Sequence, residues 1–441
     1  MEKMCFSYLI IGTDRICGEI MKEQNVLAKT EERQTNTKFA LFKNKSFLLV
    51  WLAGIFTSLA GSMYTLTVSW YVVKESGAGQ ILGVVLMVAS IPRLFLMPVG
   101  GVTADRFKRS RIMIVSDSAR ALLIFVMAFC VMTNVLSIPL LLVFAFLFGT
   151  LEAFYWPATN SVLPAVVPKN HLAQANSFNA LTQQAGLLTG SLIAGGLLTL
   201  FSYGLVFVTI SVFLAISSFF LFFVREEENK TRKKQGNPLS VMQDLREGLN
   251  DLKKDTFAFS LILTTLIASF FFSGPINIAI PLYVEEILHG SALDLSYLEM
   301  ALSAGMIIGA IFLALVTLRF RRALIAMILI ALNGLSLVGL GLTNRLLFGM
   351  GSLFFCGFVL ISGNTLLVTL LQERIPVEKL GRIMGLMTTF SIGLTPVSHG
   401  VFTIFLNHGF SVSLMLIICG SCIVLFQGLI LAVMKGIRAV D

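Results

Sequence analysis

From about residue 45 to residue 434, runs of twenty or more apolar positions alternate with short polar segments. Crossing the roughly 30 Å hydrocarbon of a bilayer takes about 20 apolar residues in a helix. With no water in that layer to satisfy the backbone, only helices or a closed barrel can span it. The runs are continuous, without the in–out alternation of barrel strands, so they predict helices. Twelve spans are expected: 47–73, 79–103, 111–133, 138–162, 173–200, 203–224, 257–283, 295–318, 322–343, 346–370, 381–406 and 411–434. The widest polar interruption, 225–256, follows the sixth. Within it, Leu239, Met242, Leu245, Leu249 and Leu252 recur at three- and four-residue steps, the pattern of an amphipathic helix lying on a membrane surface. The pattern thus predicts an all-α integral membrane fold: an N-terminal segment 1–46, a six-helix bundle 47–224, a linker 225–256, a second bundle 257–434 and a tail 435–441.

Composition agrees, at 56% hydrophobic and 13% charged. A water-soluble fold, with about a quarter of its residues charged, could not hide so much apolar side chain. The net charge of +9 does not point to nucleic acid, because it is concentrated between spans. One set of connections carries Arg106, Lys108, Arg109 and Arg111; Lys169; the basic run of the linker; Arg319, Arg321 and Arg322; Arg374, Lys379 and Arg382; and Lys435 and Arg438. The alternate set carries Lys74, Arg345 and His408 with Glu285, Glu286 and Asp294. Basic loops stay in the cytoplasm, so both termini are expected there, in a bacterial cell membrane. The six cysteines, Cys5, Cys17, Cys130, Cys356, Cys419 and Cys422, mostly sit within apolar runs and imply no disulfide framework. The apolar patch at Tyr8–Ile11 is too short for a signal-peptide core, and Met21 is a candidate natural start.

A faint repeat links the halves. Val167-Pro168-Lys169-Asn170-His171-Leu172 precedes the fifth span and Ile375-Pro376-Val377-Glu378-Lys379-Leu380 the eleventh, with Pro and Leu both recurring at an offset of 208 residues. Repeated bundles with a site at their interface are a common transporter plan.

After the second span comes Gly100-Gly101-Val102-Thr103-Ala104-Asp105-Arg106-Phe107-Lys108-Arg109-Ser110-Arg111. This resembles the G-x-x-x-D-R-x-x-R signature of the major facilitator superfamily, matched by Gly101, Asp105, Arg106 and Arg109. Lys108 stands where the family often has glycine, and Ser110 where it has a basic residue. The resemblance implies a gating loop that latches one conformation and releases it. Gly101 would let two helices approach, and Asp105 would accept hydrogen bonds at a helix N-terminus. The corresponding Arg319-Phe320-Arg321-Arg322 loop lacks the Gly and Asp. The fifth span, with Gly186, Gly190, Ser191, Gly195 and Gly196, is similar to the glycine-rich fifth helix of drug antiporters, with Ser191 in place of a usual proline. Together with Asp117-Ser118-Ala119-Arg120, Trp156-Pro157-Ala158 and Leu163-Pro164, these motifs resemble the drug/proton antiporter branch that includes macrolide-efflux and siderophore-export proteins.

Ionisable groups inside the hydrocarbon need a partner or a role. At 1.5 Å per residue, Arg93 and Glu152 are expected roughly 14–15 Å deep, and Asp117 and Arg120 roughly 9–14 Å. Two acids and two bases at similar depth suggest one compensated cluster. This is either a structural ion-pair network or a proton-coupling group centred on Glu152. Glu152, Trp156 and Asn160 share a helix face and suit a cationic amphiphile; packing is the plainer reading of Trp156. Pro157 would bend that helix. Ser58, Ser62, Thr65 and Ser69, with Tyr64 beside them, are cavity-lining or helix-packing positions. In the second half, Glu299 near the outer end of the eighth span, His399, Asn364 and Asn277 are the polar exceptions. Asn277 follows Gly274-Pro275, where a break is expected.

The reading that follows is a secondary active transporter, a monomer in the bilayer, effluxing amphiphilic drugs such as macrolides by alternating access with protons as coupling ion. A siderophore or other metabolite exporter, a lysolipid flippase, and a non-transporting sensor or scaffold are the alternatives. No metal-ligand cluster, phosphate-cradling loop or nucleotide motif is present, so no cofactor, metal or enzymatic chemistry is expected. Gating and coupling are expected to concentrate in 47–224, with the second half a greasy wall.

Overall fold

The computed structural model describes residues 40–75, 81–168, 171–226, 256–316 and 321–433. Among them, after a single turn at Ala40–Lys43, run twelve long helices: α1 Lys45–Glu75, α2 Ile81–Arg106, α3 Arg109–Met132, α4 Ile138–Val166, α5 Leu172–Leu200, α6 Tyr203–Phe222, α7 Thr256–Leu282, α8 Ala292–Leu315, α9 Arg322–Leu342, α10 Leu346–Arg374, α11 Val377–Asn407 and α12 Val412–Val433. The all-α, twelve-span expectation holds, with boundaries within a few residues. The surface helix of the linker, the Met21 start and the charges at Lys169, Arg319, Lys435 and Arg438 lie outside the described residues.

Local chemistry fixes the helix ends. The Asn44 Oδ1 accepts from the amides of Ser46 (3.0 Å) and Phe47 (3.2 Å), capping α1. Ser291 and Asp294 form a reciprocal capping box at α8. Gly409, at φ 84°, closes α11 with a left-handed residue. Eleven of the twelve helices are long and apolar enough to cross a membrane; α5 is not among them. Leu200, Leu315 and Leu347 are three-quarters or more exposed (76%, 79% and 79%), as suits side chains facing lipid tails.

The expected break at Gly274-Pro275 does not occur, because α7 runs unbroken to Leu282. Gly274 instead lets Ser398 of α11 press against the helix, where an added Cβ would collide with its Oγ, and the Ser398 hydroxyl donates to the Phe270 carbonyl. The irregularity lies further on, as a single π turn at Tyr283–Ile287 after Pro281. Pro157 likewise sits inside a continuous α4.

The packing is the repeat made visible. In the first half α2 packs on α4, α3 on α6 and α4, and α1 on α5 and α6. In the second, α8 packs on α10, α9 on α12 and α10, and α7 on α11 and α12. Adding six to each helix number of the first set gives the second. Small residues make the closest approaches: a Cβ on Gly149 of α4 would strike the Ala89 carbonyl of α2, and one on Gly357 of α10 the Leu302 carbonyl of α8. These two glycines are also 208 residues apart.

Two seams join the first six helices to the last six, α2 against α11 and α5 against α8. Both are tight toward the end carrying Lys74. Gly83 faces Thr403, Gly400 faces Met87, and Gly195 faces Ser296 and Ala292. Lys74 pairs with Glu285 across the halves at 3.0 Å. Toward the end carrying Arg106 the α2–α11 seam opens. A Cβ on Gly101, Gly381 or Gly385 would meet nothing within 4 Å.

Candidate functional site

The four membrane-embedded charges of the first half resolve into two ion pairs rather than one cluster. Arg93 on α2 pairs with Glu152 on α4. Asp117 and Arg120, one turn apart on α3, pair with each other. Similar depth does not fix the direction in which a side chain points; i and i+3 on one helix do. The Asp117–Arg120 pair is sealed, at 0% and 3% exposure. The Asp117 Oδ2 accepts from the hydroxyls of Thr57 on α1 (3.0 Å) and Ser217 on α6 (2.7 Å). The Arg120 guanidinium lies 4.4 Å from the Tyr155 ring centroid and 5.6 Å from that of Phe148. This arrangement ties α1, α3, α4 and α6 together and leaves Asp117 no route to solvent.

The Arg93–Glu152 pair is different. Arg93 keeps 37% of its side chain exposed and Glu152 16%, so this pair is open to its surroundings where the other is not. Tyr64 of α1, buried, stacks on Phe148 at 3.9 Å between centroids, within reach of both charges of the pair. Phe148 therefore stands between the sealed pair and the open one. His399 of α11 is 3% exposed with neither ring nitrogen hydrogen-bonded, and the Arg93 charge acts on its ring. Expected as a cavity-lining residue, His399 is instead buried in the α2–α11 seam, because α2 covers that face of α11. Trp156 is half-buried and Asn160 exposed, on the same face as Glu152.

The second half holds a half-open cavity of about 220 Å³ among α7, α8, α9 and α10. Its polar lining is Thr265, Ser269, Ser273, Asn333 and Asn364, with Phe272, Met306 and Leu360 among its apolar walls and no charged group. Asn364 lines this cavity. Asn277 is exposed and spends its amide on the Ser273 carbonyl of its own helix (2.7 Å). Among the described residues, no group of three or more His, Cys, Asp or Glu could hold a metal.

The loop expected to gate joins α2 to α3, with Asp105 and Arg106 exposed. Gly101 makes no close approach in this conformation. Its neighbour Gly100, about 100° round the helix, faces α4, where a Cβ would strike the Ala153 carbonyl. The helix-capping role expected of Asp105 is filled for α3 by Glu226, whose carboxylate accepts from the amides of Arg109 (3.2 Å) and Ser110. No spacing along the chain links residue 226 to residue 109.

Sequence reasoning also missed the amides of α5. Asn176 is exposed and Asn179, Gln183 and Gln184 are half-buried, all in the half of α5 near the open end. Thr182 accepts from the Trp51 indole at 2.7 Å. The signal was available: among the described residues α5 is the one long helix not apolar enough to count as a membrane span, and the wall of a polar cleft is where such a helix fits.

The comparisons agree with this architecture. The chain is similar to macrolide efflux protein A of Streptococcus pyogenes, 25% identical over 391 residues, 85% of this chain and 93% of that protein. It is also similar to the uncharacterized MFS-type transporter YfiS of Bacillus subtilis, 28% identical over 415 residues, covering 90% and 95%. In fold it matches the crystal structure of a nucleoside transporter, NupG (D323A mutant), at TM-score 0.67 and 14% identity, covering 88% of this chain and 99% of that one. The family model of the Major Facilitator Superfamily matches residues 50–398, and with twelve long helices in two repeated sets among its described residues, the chain belongs to the Major Facilitator Superfamily of membrane transporters.

Proposed function

We propose that this transporter exports amphiphilic, weakly basic molecules, macrolides among them, in exchange for protons. The basic loops assign the Arg106 end to the cytoplasm, which makes this conformation open inward and shut outward. A lipophilic substrate would enter from the inner leaflet or cytoplasm past the α5 amides, and would meet apolar walls broken by neutral hydroxyls and amides. Such walls suit bulky lipophilic molecules and offer nothing to balance a sugar phosphate or nucleotide. The relatives named for macrolide efflux, aligned along most of this chain, favour the same direction and substrate class.

The observation that carries the proposal is the Arg93–Glu152 pair: two opposite charges, held between α2 and α4 and part-exposed, where the Asp117–Arg120 pair is sealed. A protonated Glu152 releases Arg93 from its partner, and a cationic substrate beside the carboxylate would compete with the proton for it. Proton and substrate then occupy the site alternately, as exchange requires. The test is drug accumulation in cells with and without the protein, repeated with an uncoupler. We expect lower accumulation with the protein, abolished by the uncoupler, and loss of that difference in Glu152→Gln while the variant still reaches the membrane. Efflux unchanged in Glu152→Gln would remove Glu152 as the coupling acid. No difference for any macrolide or dye would remove the export reading itself.

A further inference from the structure

The cavity of the second half is walled by polar side chains that the fold itself does not use. Ser269 and Ser273, four residues apart on α7, share a helix face, and Asn364 meets the same space from α10. Ser269 and Ser273 are half-buried and Asn364 is exposed, so a ligand can reach them. Among the described residues no hydrogen bond engages these three side chains; the contact between Ser273 and Asn277 uses the serine's backbone carbonyl. Other helix hydroxyls close on their own backbone. Thr265, one turn before Ser269, donates to the Leu261 carbonyl (3.0 Å), and Ser336 of α9 to that of Leu332 (2.9 Å).

The fourth group is Asn333 of α9, which lines the cavity and is 1% exposed. Its amide nitrogen donates to the carbonyl (3.3 Å) and Sγ (3.2 Å) of Cys356 on α10. That fixes the planar amide with its oxygen turned elsewhere, and the Oδ1 is buried and accepts no hydrogen bond. A buried acceptor without a donor is costly, and a native fold that keeps one calls for a partner.

The lining sets the chemistry of what fits. Hydroxyls can both give to and accept from Ser269, Ser273 and Asn364, and an O–H or N–H suits the Asn333 oxygen. The walls hold no charged side chain, so a phosphate, carboxylate or ammonium would find no counter-charge there. Phe272, Met306 and Leu360 offer apolar surface between the polar groups, which suits the C–H faces of a ring. At about 220 Å³ the space falls short of the roughly 300–1,000 Å³ of a pocket for a whole drug-sized ligand. At about 30 Å³ per water it equals roughly seven waters, the bulk of one substituted ring.

We propose that this cavity is a sugar subsite: it binds the neutral, hydroxylated ring of a glycoside whose remaining bulk lies outside it. A macrolide that bears a neutral sugar as well as an amino sugar is such a molecule. The substrate is then divided between the halves, its cation toward Glu152 of the first and its neutral ring in the second. That such a glycoside is exported rests on the efflux reading above; that the cavity binds its sugar does not.

The test is equilibrium binding to the purified protein in lipid nanodiscs. Erythromycin is compared with the same macrolide after its neutral sugar is removed by mild acid, which leaves the amino sugar and its charge. We expect erythromycin to bind about tenfold tighter or more, the worth of one or two net hydrogen bonds. Ser269→Ala with Ser273→Ala should cut that preference by about threefold or more, and Ser273→Leu, which fills the space, should abolish it. Affinity for the shortened macrolide should stay within about twofold in both variants, as it does not reach these hydroxyls and reports that the variants are folded. Equal affinity of the two macrolides for the parent protein would overturn the proposal, as would the full preference surviving in Ser273→Leu. Uphill erythromycin transport in proteoliposomes is followed separately. A sugar preference without transport overturns the efflux reading and leaves the subsite standing; transport without a sugar preference does the reverse.

Discussion

At the residue scale the first half separates two jobs that look alike in sequence. Asp117 and Glu152 are both acids deep in a span with an arginine nearby. One is sealed among Thr57, Ser217 and Arg120; the other is part-exposed. Removing one partner of a sealed pair strands the other charge, at a cost of about 3–5 kcal/mol. Asp117→Asn should therefore lower the melting temperature in detergent markedly, and Ser217→Ala, which removes one hydrogen bond of about 1 kcal/mol, only slightly. If Asp117→Asn melts like the parent, the pair is not structural. That these residues would need partners was legible in the sequence; which partner each would take was not, because pairing depends on helix rotation and on chain remote in sequence. Glu226 reaching the amides of Arg109 and Ser110 is the clearest case.

At the element scale, glycine is where backbone meets backbone. Gly149 has no room for a side chain, whereas Gly196, on α5, has nothing within 4 Å of its would-be Cβ. Gly149→Val should cost about 1–3 kcal/mol by forcing α2 and α4 apart. Gly196→Ala should be neutral or stabilising by up to about 1 kcal/mol, since alanine is the better helix former. Thermal unfolding of the two variants checks both, and equal melting would refute the packing assignment. Helix positions were readable from apolar runs because a helix must span the bilayer whatever its neighbours. Breaks were not: Gly274-Pro275 reads as a kink, yet Ser398 packs against that glycine and the helix passes straight through.

At the scale of the whole molecule, two seams closed at the Lys74 end, with the α2–α11 seam open at the Arg106 end, are one of at least two arrangements that alternating access requires. A Cβ at residue 83 would lie 3.1 Å from that of Thr403, near the roughly 3.8 Å of a disulfide. Gly83→Cys with Thr403→Cys, the native cysteines replaced, should cross-link under oxidant and lower efflux at least tenfold, with recovery on reduction. Full efflux in the cross-linked protein would show that this seam does not open in the cycle.

The sequence by itself determined twelve spans, their alternation, the repeat at an offset of 208 residues and the class of molecule, because hydrocarbon imposes length and apolarity locally on every span. Only the tertiary structure decided which charges are sealed and which are part-exposed, that His399 stands without a hydrogen-bond partner among the described residues, and which end is shut. Those facts depend on the azimuth and tilt of helices packed against others far along the chain, and no local pattern encodes them.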